Sequence, residues 1–218
     1  MAPTRVLMIR HADVENPGRV LYGHLPGYPL SALGRAQAVS LGDRLRPAGI
    51  RRIVHSPLDR ADETARIIAS RLDAPVALVA DPELREAEFS RYLQGVPYWQ
   101  VPLRRPLWFV HKARRGIVPG DEGITDLGGR ALSVARGLAA AHPGQVSALV
   151  SHADPLQAAW VLIEGRAHNE REMYRKVVDR AGTLELEFEG SEIVSHRYVK
   201  PPDVGRPARS AAAPDPSP

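Results

Sequence analysis

The chain of 218 residues contains no cysteine. Disulfides, thiolate zinc sites and a cysteine nucleophile are therefore excluded. No apolar run approaches the roughly 20 residues that a membrane helix needs, so no membrane partner is expected. The apolar segment Val6-Leu7-Met8-Ile9 is too short for the core of a secretory signal, and no small-residue cleavage site follows it. The expected location is the cytoplasm. No His-x-x-x-His or Glu-x-x-His pair is present, so no metal site is expected from His11, His24, His55 and His152. Residues 201–218 are rich in Pro and Ala and carry no aromatic side chain. Such a tail buries too little surface to offset the entropy of ordering, and disorder is expected there. No internal repeat is visible.

The length suits one α/β domain with a modest insertion, and it is enough to bury a sizeable core. The expected division is a single catalytic domain over residues 1–200, an inserted cap at about 90–120, and the tail. The formal net charge is +4, which favours anionic substrates. The arginines are scattered and no nucleic-acid motif occurs, so nucleic acid is not an expected partner. Oligomeric state is not legible.

Residues 5–10 read as a short buried strand, and residues 17–30 as a Gly- and Pro-rich loop. Ser31 reads as an N-cap before Leu33, Ala36, Leu41 and Leu45 at helical spacing. Ile53 and Val54 suggest a second strand ending at Ser56. Ser56 and Pro57 then suggest an N-cap and first helical position, ahead of an apolar face at Leu58, Ala61, Ala65, Ile68 and Leu72. Val76–Val79 suggest a third strand. Residues 81–124 read as loops and short helices above a sheet. Helical spacing returns at Leu127, Ala131, Val134, Leu138 and Ala141. Val146–Val150 read as a strand ending at Ser151-His152, followed by Asp154 as N-cap and Pro155 as first helical residue. Residues 183–188 and 193–199 alternate and predict a hairpin around Glu189-Gly190. Strands alternating with helices predict an α/β fold: three layers, α/β/α, around a mixed, mostly parallel sheet.

In such sheets ligands bind beyond the carboxyl ends of the strands. Three strands end there in chemistry-bearing residues: Arg10-His11, Ser56 leading to Arg60, and Ser151-His152. Two histidines and two arginines make a plausible anion pocket. Arg60 lies near the positive end of its helix, where a cation is disfavoured by a few tenths to about 1 kcal/mol. Either Asp59 offsets it, or a bound anion does. A histidine that attacks phosphorus must be neutral, with its second nitrogen held by an acceptor. It also needs arginines on the phosphoryl oxygens and an acid for the leaving oxygen.

These residues carry a resemblance. Arg10-His11-Ala12 is similar to the Arg-His-Gly signature of the histidine phosphatase (phosphoglycerate-mutase-like) superfamily. Pro29-Leu30-Ser31, Gly34 and Gln37-Ala38 resemble its next segment, and Ser56-Pro57-Leu58, Arg60-Ala61 and Glu63-Thr64-Ala65 its second motif. Leu84-Arg85-Glu86 with Phe89 resembles the segment bearing its acid, and Val150-Ser151-His152 its last motif. The matches run in order from residue 5 to about 156. The resemblance implies a metal-independent phosphatase without cofactor, acting on a small phosphorylated substrate through a phosphohistidine. His11 would be the nucleophile. Arg10, Arg60 and His152 would bind the phosphoryl group, with Asn16, Gly23 and Ala153 completing the pocket. Glu86 would be the proton donor, with Glu88 as the other candidate.

Three departures stand out. Ala12 replaces a glycine, which would cost about 1 kcal/mol if the position needed a positive φ. Asn16 lies one residue closer to His11 than the commonest spacing, and Tyr22 stands where a Gln is frequent. Asp13 and Glu15 read as solvated loop charges. The basic stretch from Arg104 to Arg115 reads either as a solvated loop or as a cap that attracts an acidic or multiply phosphorylated molecule. Trp99, Trp108 and Phe109 would line that cap or form a local core. Mutase activity and phospho-ligand binding without turnover remain the competing functions.

Overall fold

Thr4–Arg10 (β1) alternates its side chains between two cores, and the layers follow from that alternation. The computed structural model describes residues 3–88 and 93–205. The other strands are Ile50–His55 (β2), Ala77–Ala80 (β3), Val146–Ser151 (β4), Thr183–Glu189 (β5) and Glu192–Val199 (β6). They form one sheet in the order β3-β2-β4-β1-β5-β6. The first four are parallel; β5 runs antiparallel to β1, and β6 antiparallel to β5.

Leu7 and Ile9 face Ala32–Leu45 (α1) and Asp59–Ser70 (α2), packing with Ala38, Leu41, Ala65 and Ile68. Val6 and Met8 face the opposite layer, whose long helices are Ile124–Ala141 (α5) and Ala153–Ile163 (α6). The three layers and the mixed sheet are those expected. Among the described residues the connections also hold the short helices Val101–Arg104 (α3), Trp108–Ala113 (α4) and Glu170–Met173 (α7). Leu93, Val96 and Val101 form a small separate core there, with Leu21 and Trp108 against it.

Several boundaries differ from expectation. Ser31 does cap α1, accepting from the Gly34 N–H. Helix α2 begins at Asp59 rather than Pro57, because Ser56 turns its hydroxyl to Leu58 N–H and to His152 instead of capping a helix. The N-cap of α6 is His152; Asp154 lies inside the first turn, with its carboxylate drawn away by Arg115 and Tyr174. Residues 201–205 form no helix or strand, and the rest of the expected disordered tail lies outside the described residues, as does Phe89. No helix among the described residues is long and apolar enough to cross a membrane.

The candidate active site

Strand register brings the site together. Arg10 pairs with Ser151 and His55 with Val150 across β1, β4 and β2. The residues that follow, His11, Ser56 and His152, therefore leave the sheet at one end and at one level. The rings of His11 and His152 lie 5.1 Å apart.

His11 is 1% exposed, and its Nδ1 is 2.8 Å from the Ala12 carbonyl oxygen. A carbonyl only accepts, so Nδ1 carries the hydrogen and Nε2 is left with its lone pair. Burial first, then the charges of Arg60 and Arg10, hold the imidazole pKa well below its ordinary value. The ring is neutral in neutral solution. The loop that carries it is pinned from both sides. The Ala12 N–H donates to Thr64 Oγ1 on α2, and Gly34 lies so close to Asp13 that a Cβ there would meet the Asp13 carbonyl oxygen at 2.0 Å. Ala12 is fully buried and does not have a positive φ. The strain that an alanine would carry at this position is absent.

Arg60 is the second residue of α2 and is 1% exposed. Its Nη2 donates to the Gly23 carbonyl at 2.8 Å, and the guanidinium lies 4.7 Å from the centre of the Tyr22 ring. Gly23 has φ +45°, and a side chain there would collide with Gln94. Arg10 donates through Nη1 to the Val178 carbonyl. The ion pairs among the described residues put no carboxylate on Arg10 or Arg60. Nε of each arginine and Nδ1 of His152 are buried without a hydrogen-bond partner in the described protein. Buried orphan donors are costly, and three around one histidine favour an anion there. His152 Nε2 lies 2.8 Å from Ser56 Oγ. A Ser56 hydroxyl that donates to Nε2 leaves Nδ1–H of His152 as a donor.

Glu86 follows the short turn Pro82–Leu84 and lines the same cavity as His11. It is 8% exposed. Burial and then the Asp154 charge raise its pKa to about 7, against the lowering effects of Arg60, the Ala87 N–H and Arg10. Its backbone carbonyl is held by His24 Nε2 and by Arg130. Glu88 is exposed and does not line this cavity. Burial alone would raise Asp154, but Arg115 and the Tyr174 hydroxyl hold it below the ordinary carboxylate value.

The cavity has a volume of about 380 Å³, within the range of small-molecule sites. Of the catalytic and phosphate-binding residues expected from the sequence, it exposes Arg10, His11, Gly23, Glu86 and Ala153. Arg60 and His152 stand buried beside His11. Asn16 is not brought there: its amide closes the loop on the Val20 backbone in both directions. Asp13 is no free loop charge, since its carboxylate accepts from Ser31 and pairs with Arg180. The other cavity residues include Tyr98, His111, Lys112, Asp154, Tyr174 and Arg180. His111 and Lys112 come from the basic stretch already noted in the sequence, whereas no local motif marks the others as cavity residues, because long-range packing assembles them. Trp108 both lines the cavity and packs on the small core, whereas Trp99 and Phe109 are largely exposed. No group of His, Asp and Glu among the described residues is arranged to hold a metal ion.

Comparison with known proteins agrees with this geometry. The model of the histidine phosphatase superfamily (branch 1) matches residues 6–200. "Uncharacterized protein Rv0525" of Mycobacterium tuberculosis is 33% identical over 205 residues, covering 91% of this chain and 96% of that protein. "Probable phosphoglycerate mutase GpmB" of Yersinia enterocolitica is 31% identical over 152 residues, covering 68% of this chain and 69% of the other. Among solved structures, a mycobacterial glucosyl-3-phosphoglycerate phosphatase, Rv2419c, in complex with VO3 superposes with a TM-score of 0.73 at 24% identity, covering 89% of this chain and 96% of that one. With a family model spanning nearly its whole length and its strand ends carrying the matching histidines and arginine, the chain belongs to the histidine phosphatase superfamily.

Proposed function

We propose that the chain is a phosphatase that hydrolyses phosphomonoesters through a phosphohistidine on His11, with no metal ion taking part. The observation that carries this reading is a buried, neutral His11 in one cavity with Glu86, whose raised pKa keeps a large share of it protonated in neutral solution. In the first step Nε2 of His11 forms a bond to phosphorus while the bond to the ester oxygen breaks. Glu86 gives its proton to that oxygen, which leaves as an alcohol. In the second step Glu86 takes a proton from water, the water oxygen bonds to phosphorus, and the N–P bond breaks to release phosphate. Arg10, Arg60 and His152 face charge on the phosphoryl oxygens, where preorganised donors act most strongly. The free backbone N–H at the start of α6, at Ala153, adds a further donor. Residues 93–121 act as the cap of this one catalytic domain, since Tyr98, Val101, Trp108 and Lys112 close the cavity over His11.

The test is hydrolysis of para-nitrophenyl phosphate in the presence of EDTA by the intact protein and by His11→Ala. Turnover that survives EDTA and is lost in the variant supports the reading. Vanadate, a mimic of the trigonal phosphoryl group, is expected to inhibit. Turnover that persists in His11→Ala would show the nucleophile to be elsewhere. The similarity to a protein named as a phosphoglycerate mutase supports a second reading, in which the phosphoryl group returns to the substrate. Its signature is isomerised ester in place of free phosphate.

A further inference from the structure

What the phosphate is attached to follows from the rest of the cavity wall, and this step rests on the phosphatase reading. The stretch from Arg104 to Arg115 is the most basic of the chain, and a cap for an acidic or multiply phosphorylated molecule was one expectation for it. In the fold the basic side chains among the described residues that line the cavity, Arg10 and His11 apart, already lie against carboxylates. Lys112 Nζ lies 3.0 Å from Glu170 Oε2 and 4.8 Å from the centre of the Tyr174 ring. His111 Nδ1 lies 2.7 Å from Asp121. Arg180 pairs with Asp13. Arg115, buried behind the wall, joins Asp154 to Glu170. Glu86 and Asp154 add acidic groups to the wall itself. A second anionic group would compete with Glu170 and Asp13 for Lys112 and Arg180, which are about a third exposed, and would face the Asp154 carboxylate. Among the described residues the wall away from His11 is otherwise aromatic and aliphatic: Tyr22, Tyr98, Trp108 and Tyr174, with Leu21, Leu93 and Val101.

We infer that the ester cleaved at His11 is the phosphate of an uncharged alcohol that carries a flat, apolar ring, and that esters with a second anionic group are poor substrates. The phosphate end takes the cations that have no carboxylate, Arg10 and Arg60. The ring packs among tyrosines and Trp108, where stacking adds to burial. Selection of this kind lies in binding of the leaving group, so it is read in KM and in ligand affinity.

The experiment compares three phosphates of primary alcohols, so that leaving-group chemistry is similar: 3-phenylpropyl phosphate, glycerol 3-phosphate and 3-phosphoglycerate. The expected order of kcat/KM is as written, with at least about tenfold between the first and the last, carried mainly by KM. Tyr98→Ala, at a half-exposed position where folding is not at stake, and Trp108→Ala are each expected to narrow the preference for the phenylpropyl ester over glycerol 3-phosphate to about threefold or less. Calorimetry on His11→Ala gives a readout that does not need turnover; 3-phenylpropyl phosphate is expected to bind about tenfold more tightly than 3-phosphoglycerate. Equal or reversed affinities overturn this inference. So does His11-dependent cleavage of 3-phosphoglycerate at the rate of the phenylpropyl ester, which leaves the proposed reaction standing. A preference that survives both aromatic substitutions also overturns it. Loss of His11 dependence together with the expected binding order overturns the reaction alone.

Discussion

Glu86 is a carboxyl that the fold holds at its own expense. An ordinary glutamate ionises near pH 4.5, whereas burial and Asp154 raise Glu86 to about 7. The folded state therefore binds this proton more tightly than the unfolded chain. Its stability declines as pH rises from about 4.5, and above about 7 the loss is complete, at up to roughly 3 kcal/mol from a shift of this size. Glu86→Gln removes the penalty. The variant is expected to unfold at a higher temperature than the parent at pH 8 and with little difference at pH 4.5, while losing turnover most for esters of poor leaving groups. Equal melting curves at both pH values would show that Glu86 is not held protonated. Under the proposed mechanism the same residue is expected to shape the rate profile. His11 stays neutral well below pH 6.5, so turnover is expected to hold on the acid side and to fall above about pH 7 as Glu86 ionises. Asp154→Asn takes away the charge that raises Glu86, and the alkaline limb is expected to move to lower pH in a kcat–pH profile. An unmoved limb would remove Asp154 from this role.

At the scale of elements, close approach of backbones places the layers and the loops. Gly128 on α5 faces α6, where an added Cβ would come within 2.7 Å of the Ala158 backbone. Backbone cannot yield as a side-chain end can, and overpacking of this kind costs about 1–3 kcal/mol. Gly128→Ala is expected to lower stability by that amount in urea titration. Gly137 on the same helix has nothing within 4 Å of an added Cβ; Gly137→Ala is expected to stabilise by about 0.5–1 kcal/mol through helix propensity. A gain in Gly128→Ala similar to that in Gly137→Ala would show that α5 and α6 are not in contact at Gly128. The helices and strands themselves were legible, because period 3.6 and period 2 in apolar residues are local signals. Their first turns were less so. Ser56 and Asp154 are both good N-cap types, and neither caps its helix, because His152 and Arg115 respectively engage their side chains. A local rule does not see a partner 96 or 39 residues away.

Across the whole molecule, Arg115 ties the proposed cap to helices α6 and α7. It joins Asp154 at the start of α6 to Glu170 on α7, and Tyr174 closes the group. Removing one partner of a buried pair leaves the other charge uncompensated, at about 3–5 kcal/mol. Arg115→Met is expected to lose stability on that order in denaturant titration and to raise KM, as the cap residues around the cavity lose their anchor. A change below about 1 kcal/mol would mean that the cap is held by its small apolar core instead. Sequence by itself determined the three-layer α/β architecture and singled out His11, Arg10, Arg60, Glu86 and His152, the residues proposed to be catalytic, because alternation, strand-end position and ordered motifs are written along the chain. Tertiary structure decided the pairing of the basic stretch with Asp121, Asp154 and Glu170, the withdrawal of Asn16 into its own loop, the choice of Glu86 over Glu88 as the buried carboxyl, and the aromatic character of the cavity wall. Each of these depends on burial and on contacts between residues distant in sequence, and neither is a property of local composition.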